Sequence, residues 1–456
     1  MDRSITEGPI VKRLLLFAFP IFASNFFQQM YNIADAAVLG NFVGEGALAA
    51  VSETGYVVNI LIGFFLGLGV GAGILISQRA GAGDREGLSK AVHTCIALCL
   101  CAGAAMTFVG IWISPWMLRL IDTPADVMDY GVTYLRIYFI GTVPVMIYNL
   151  GGSILRGIGD SKRPFYYLVV SSLLNVALDL LFVAGFHQGV AGAAWATVLS
   201  QSVSAFLILR RLLRTDEAWR LFPGKLRFHA ESLKQILRIG VPAGMQMVIG
   251  QFAHLIMQTQ INSFGSGAMA GIGAGSKINN FILLPIEAVG LALSTFTGQN
   301  FGAGKPARAY RSTRACAALT SGGALLLSGL VWIGMEPLIR IFTQEPYAVG
   351  AAVVFLSVSV PFYAFYAVEV SIAGSLRGAG YTAPPMLFNL VFYCGLRVFL
   401  MLAVMPLWHD IRLIGICYPA SWLASSTANF LYYRFGNWRN RWENGAFSRE
   451  KEQGIA

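Results

Sequence analysis

"SQRAGAGDREG", Ser77–Gly87, closes one long apolar stretch, and 221 residues later "GQNFGAGKPAR", Gly298–Arg308, closes another. Gln78 falls on Gln299, and Gly81-Ala82-Gly83 falls on Gly302-Ala303-Gly304. At the same offset Asn41, Gly44, Gly46 and Asn59 meet Asn262, Gly265, Gly267 and Asn280. Farther on, "LRGIGDSKRP" meets "LRGAGYTAPP", pairing Leu155, Arg156, Gly157, Gly159 and Pro164 with Leu376, Arg377, Gly378, Gly380 and Pro385. Near the start the offset is 222, because Pro20 matches Pro242 and the first copy carries one extra residue. A register held over this distance marks a duplication, and a search for repeats precedes any other reading of a chain.

Each copy consists of oily helices. Of 456 residues, 56% are hydrophobic and 12% charged, about half the charge of a soluble domain. Twelve apolar stretches are long enough to cross a bilayer, which takes roughly 20 residues each: 14–40, 54–78, 91–113, 130–153, 165–185, 190–209, 236–262, 277–299, 315–335, 350–375, 384–406 and 413–433. A soluble bundle of this size would need far more polar surface. With six spans per copy, both copies start on the same side, so the repeats are parallel. Such repeats, related by an axis along the membrane normal, occur in one major class of secondary transporters. The expected layout is an N-terminal lobe over 1–215, a linker over 216–235, a C-terminal lobe over 236–435 and a polar tail over 436–456.

The formal charge of +10 orients the protein. With a cytoplasmic N-terminus, 27 of the 33 Lys and Arg lie in cytoplasmic segments, while Arg119, Arg340 and Arg412 lie opposite and Arg136, Lys277 and Arg397 lie at or inside spans. This positive-inside pattern predicts both termini in the cytoplasm, and nucleic-acid binding is not needed to explain the charge. The opening "MDRSITEGPIVKRLLLF" lacks the layout of a secretory signal, so the first span is expected to be retained. The six cysteines fall within spans without C-x-x-C or histidine spacing, so they read as packing residues. The basic stretch "RRLLRTDEAWRLFPGKLRF", Arg210–Phe228, reads as an amphipathic surface helix followed by a Pro-Gly turn.

Pro20 ahead of the Asp-bearing first span, the paired "SQRAGAGD" and "GQNFGAGK" ends and the doubled "LRGxG" together resemble the multidrug and toxic compound extrusion (MATE) family, in its prokaryotic DinF-like branch. The resemblance covers nearly the whole chain. It implies an all-α membrane protein of twelve transmembrane helices in two parallel six-helix repeats forming a V-shaped pair of bundles. It further implies export of organic cations or amphipathic drugs against entry of H⁺ or Na⁺ across the plasma membrane, by a monomer without a cofactor beyond the coupling ion. The glycine motifs do not cradle phosphate, since no strand precedes them and no G-K-[ST] follows; they read as helix ends.

Acids inside spans carry the mechanism. In "NFFQQMYNIADAAVLG", Asn25–Gly40, the residues Asn25, Gln28, Asn32 and Asp35 share one helical face. A charged carboxyl at bilayer depth costs roughly 2.5–3.5 kcal/mol on insertion scales, so it faces water, pairs or is protonated. Asp179 in the fifth span stacks one turn after Asn175, and Thr197 in the sixth adds a hydroxyl. The resemblance implies that Asp35, Asn175, Asp179 and Thr197 form one proton or cation site. Two close carboxyls raise at least one pKa, or with amide and hydroxyl oxygens offer Na⁺ a hard-oxygen site at Asp35 and Asp179. Buried structural acids are the alternative.

The duplication localises the charge. At offset 222, Asn32 falls on His254 and Asp35 on Met257. The seventh span keeps Gln251, His254, Gln258 and Asn262 but no acid, so coupling is expected in the N-terminal half. Gln28, Tyr31, Asn32, Gln251, His254 and Gln258 are expected to line the substrate path, with Phe26 and Phe27 as apolar walls. A sodium site in the C-terminal half, as in another bacterial branch, is disfavoured because Gly250 or Gln251 and Tyr366 stand where acids would be needed. Glu287 and Glu369 remain second-tier candidates that either line the cavity or pair with Lys277 or Arg397. A flippase for lipid-linked saccharides is the second reading, weakened by the few intramembrane cations. No catalytic motif emerges, so an enzyme is not expected.

Overall fold

The computed structural model describes residues 5–120 and 123–439, which hold helices and turns but no strand. Inside a bilayer nothing else satisfies the backbone within one segment. The first repeat comprises α1 (Ile10–Phe42), α2 (Glu45–Ala82), α3 (Arg85–Leu120), α4 (Ala125–Ile140, then Thr142–Gly157), α5 (Lys162–Gly185) and α6 (Gly189–Leu213). The second comprises α7 (Ala230–Asn262), α8 (Ser266–Gly302), α9 (Pro306–Ile333), α10 (Pro346–Gly378), α11 (Ala383–Val404) and α12 (Ile411–Phe435), with a short helix Met335–Arg340 before α10. The helices generally overrun the apolar stretches because polar turns continue past the oily part. In α12 the buried Ser421, Ser425, Ser426 and Asn429 dilute the apolar signal.

The duplicated motifs sit where the backbone needs them. Gly44 and Gly265, Gly83 and Gly304, and Gly159 and Gly380 all have positive φ, which only glycine adopts without strain. Gly83 and Gly304 follow helix ends, as the sequence reading expected, whereas Gly44 and Gly265 are the N-caps of α2 and α8. The repeats also break at matching points. α4 bends by 53° at Gly141, and 221 residues on α10 tightens into a 3₁₀ turn at Val360–Phe362. α5 ends in a π turn at Leu180–Gly185, and α11 is wound as π turns over Leu390–Leu396 and Leu400–Val404.

The chain divides into two compact units. One comprises Ala23–Gly244; the other holds the stretch ending at Phe22 together with everything from Met245 onward. The boundaries therefore fall two residues after Pro20 and Pro242, each inside a helix. In the first unit α2, α3, α4 and α6 bury Leu75, Ile76, Leu88, Ile96, Leu150 and Ile208. There α2 meets the first half of α7 backbone to backbone: a Cβ on Gly67 would lie 2.1 Å from Gly244 N, and one on Gly71 would lie 2.6 Å from Gly240 N. In the second unit Phe355, Tyr363 and Trp422 anchor the main core. A second cluster packs Ile5, Leu14 and Phe17 against Leu293 and Phe296. Arg308 and Lys305 hold the stretch before α1 by its carbonyls: Arg308 donates to Ile5 O, Glu7 O and Gly8 O, and Lys305 to Thr6 O.

One expectation fails. The linker after α6 is not a surface helix. Thr215 Oγ1 accepts from Glu217 N–H, and Leu221 N–H returns to Leu212 O, which folds the strand of chain back on α6. Trp219 and Leu221 are buried in the first unit's core; two residues apart, they would not share one face of a helix. The Pro-Gly turn appears as a 3₁₀ turn at Pro223–Lys225. All six cysteines are free, and four are buried.

Candidate functional site

α1 brings Asp35 to the side of α5, within electrostatic range of Asp179. Asp179 is fully buried and Asn175 is 1% exposed, whereas Asp35 is part-exposed. The sequence builds this locally. Asn175 and Asp179 stack at a spacing of four, and Asp179 is the last α-helical residue before the π turn of α5. π turns are rare and frequent at functional sites.

Polar atoms in the site lack partners. Asp35 Oδ1, both Asp179 oxygens, and Asn175 Oδ1 and Nδ2 are buried without a hydrogen-bond partner. No cation forms an ion pair with either acid among the described residues. Thr197 Oγ1 donates to Ala193 O at 3.1 Å, which leaves its lone pairs free on α6 beside α5. Two carboxyls this close cannot both be ionised cheaply, so a shared proton fits them. The same hard oxygens also fit a small monovalent cation.

Tyrosines enclose the acids, a feature absent from the sequence reading apart from Tyr31. Tyr31 and Tyr134 both lie within electrostatic range of Asp35 and Asp179. Tyr134 stacks on Tyr138 at 6.0 Å between ring centroids. Tyr130, Tyr134 and Tyr138 recur every four residues along α4, a signal legible in hindsight. On α1, Gln28 and Asn32 are exposed.

In the second unit, Gln251 and His254 are exposed, and Gln258 Nε2 donates to Asn262 Oδ1 at 2.9 Å. Tyr366 OH donates to Glu287 Oε1 at 2.8 Å, and Tyr393 OH to Glu369 Oε2 at 3.4 Å. Neither acid pairs with Lys277 or Arg397 as one sequence option had it. Lys277 lies over the Phe342 ring, and Arg397 lies between two tyrosines. Tyrosine hydroxyls donate to both acids, and the cation within electrostatic range of each is Arg377 of the LRGxG motif.

The MatE family model matches this chain twice, over residues 20–181 and 242–402. The chain belongs to the MatE family. The two matches begin at Pro20 and Pro242, so the duplication read from the sequence is the family's own unit. The chain is 31% identical over 434 residues to the "Probable multidrug resistance protein YpnP" of Bacillus subtilis, covering 95% of this chain and 97% of that protein. It is 23% identical to the "Multidrug export protein MepA" of Staphylococcus aureus over 66% of each chain. A solved structure described as "Outward-facing conformation of a multidrug resistance MATE family transporter of the MOP superfamily" shares the fold with a TM-score of 0.87. It is 23% identical and covers 94% of this chain and 96% of its own. The protein is therefore a multi-pass membrane transporter of the MatE family with twelve helices in two repeats.

Proposed function

We propose that this MatE protein is a secondary-active exporter. It carries organic cations or amphipathic drugs outward in exchange for inward H⁺ or Na⁺ by alternating access, from a plasma membrane with both termini cytoplasmic. The multidrug relatives support the substrate class. The observation that carries the coupling is the closeness of Asp35 and Asp179: two carboxyls at bilayer depth, with orphaned oxygens and no ion-paired cation among the described residues.

The chemistry follows from that closeness. Empty of ions, the pair repels itself in low dielectric; a proton or Na⁺ relieves the repulsion and draws α1 toward α5. Pro20 interrupts the hydrogen-bond ladder of α1, so this movement bends the helix there and changes the drug's surroundings. Drug and ion then bind antagonistically, and antagonism of this kind is reciprocal. Thr197 and Asn175 supply further oxygens, and Tyr31 and Tyr134 shield the pair from bulk water. The flippase alternative draws no support, because Lys277 and Arg397 contact different neighbours and do not converge on a pyrophosphate.

Purified protein in liposomes tests this, with a pH gradient and a sodium gradient imposed separately and a fluorescent organic cation followed. One gradient drives accumulation and its collapse stops it. Accumulation indifferent to both gradients refutes the reading.

A further inference from the structure

Arg397 is an intramembrane charge that the coupling scheme does not use. It sits on α11 between that helix's two π turns, at nearly the same place in the second repeat as Asn175 and Asp179 occupy in the first. On α11, Val391, Gly395 and Phe399 form an exposed face at a spacing of four, and Arg397 lies across the helix from it, against α12.

Its guanidinium is held rigidly. The Arg397 carbon centre lies 4.7 Å from the Tyr393 ring centroid and 4.6 Å from that of Tyr418. Nε–H donates to Ser421 Oγ at 2.9 Å, while Ser421 spends its own proton on Tyr418 O at 2.8 Å. Ser421 is fully buried and can only accept from Arg397. One edge of the guanidinium is thus committed, and two tyrosine rings pack close to it. Nη1 and Nη2 have no partner among the described residues. Glu369 is engaged by the Tyr393 hydroxyl instead.

A second basic group stands nearby. Cys394 Sγ contacts Ile249 O at 3.5 Å, which packs α11 against α7 one turn below Arg397. His254, just above Ile249 on α7, is exposed and within electrostatic range of Arg397. A guanidinium without a counter-charge in a span is expensive. A pre-oriented fork with two free NH₂ groups matches a planar oxyanion bidentately.

We propose that Arg397, positioned by Ser421, Tyr393 and Tyr418 and flanked by His254, is an oxyanion subsite for the carboxylate or phosphate-type group of a transported amphipath. Substrates then include zwitterions and organic anions as well as cations. The word "transported" rests on the exporter reading; the binding claim does not.

Binding is measured without any gradient, by fluorescence anisotropy on the full-length protein, with tetramethylrhodamine as the free carboxylate and as its methyl ester. Both probes keep the cationic ring system, so only the oxyanion differs. The wild type is expected to bind the carboxylate at least tenfold more tightly than the ester, and Arg397→Gln to remove that preference. Arg397→Lys, which keeps charge but not the fork, recovers only part of it. Equal affinities in the wild type, or a preference that survives Arg397→Gln, overturn the subsite. The wild-type ratio decides alone should the variant fail to fold. The same titration runs in nanodiscs of phosphatidylcholine and of phosphatidylglycerol. A preference present in the first and lost in the second assigns the fork to an anionic lipid headgroup and overturns a substrate role. Absent gradient-driven efflux of either dye with the preference intact refutes the exporter reading alone.

Discussion

Gly67→Ala tests the tightest approach of one helix backbone to another in the first unit. The added Cβ would lie 2.1 Å from Gly244 N, 2.2 Å from Gly244 Cα and 2.6 Å from the Ala243 carbonyl carbon. Ordinary contact begins near 3.4 Å, so α2 and α7 must separate by about 1.3 Å, close to the 1.5 Å rise of one helical residue. The opposing atoms are backbone and cannot rotate away. Overpacking of this kind costs roughly 1–3 kcal/mol, while Ala recovers up to about 1 kcal/mol of helix propensity. The expected net loss is about 1–2 kcal/mol. The assay is apparent thermal stability of the purified protein, read as the temperature of fluorescence-detected monodispersity loss. Gly250→Ala on α7 is the control, because nothing lies within 4 Å of its Cβ, and it is expected to match or exceed the wild type. Gly67→Ala as stable as Gly250→Ala would refute the close approach.

Three further outcomes are expected. Arg308→Ala removes three charged hydrogen bonds to Ile5, Glu7 and Gly8 and should raise deuterium uptake over residues 5–13 at least tenfold without changing that of α12. His229, in the linker, has its pKa lowered first by burial and then by Arg227, Lys90 and His93. The native state therefore resists protonating it, and the stability it contributes is present above the unfolded pKa near 6.5 and lost as pH falls through that value; Arg227→Gln should raise its NMR titration midpoint. Asp35→Asn should express and insert normally yet abolish drug efflux from cells, and full resistance in cells carrying it would refute the coupling assignment.

Much of this was legible because bilayer physics leaves strong marks. The apolar stretches and the doubled GAG and LRGxG motifs each follow from a backbone or solvation demand, and the positive φ at Gly83 and Gly304 shows which demand the glycines meet. Asp35 and Asp179 stood out because acids in oil are costly. Other features had no such signature. The linker's basic composition reads as an amphipathic helix, and only the core that buries Trp219 and Leu221 says otherwise. π turns at Asp179 and around Arg397 leave no compositional trace. Tyr134 reads as an ordinary interfacial aromatic until α1 places Asp35 beside it. The pairing of Glu287 and Glu369 with tyrosines rather than cations depends on side-chain directions across three helices.

The account rests on competition between ion and drug at the Asp35–Asp179 pair, and proton release on drug binding measures this directly. Detergent-solubilised protein in weakly buffered solution is titrated with an organic cation while pH is followed. The account predicts release approaching about one proton per chain at the pair's coupled titration, or release on adding Na⁺ if sodium is the partner, and none from Asp35→Asn. The same release from a variant lacking both carboxyls would contradict it.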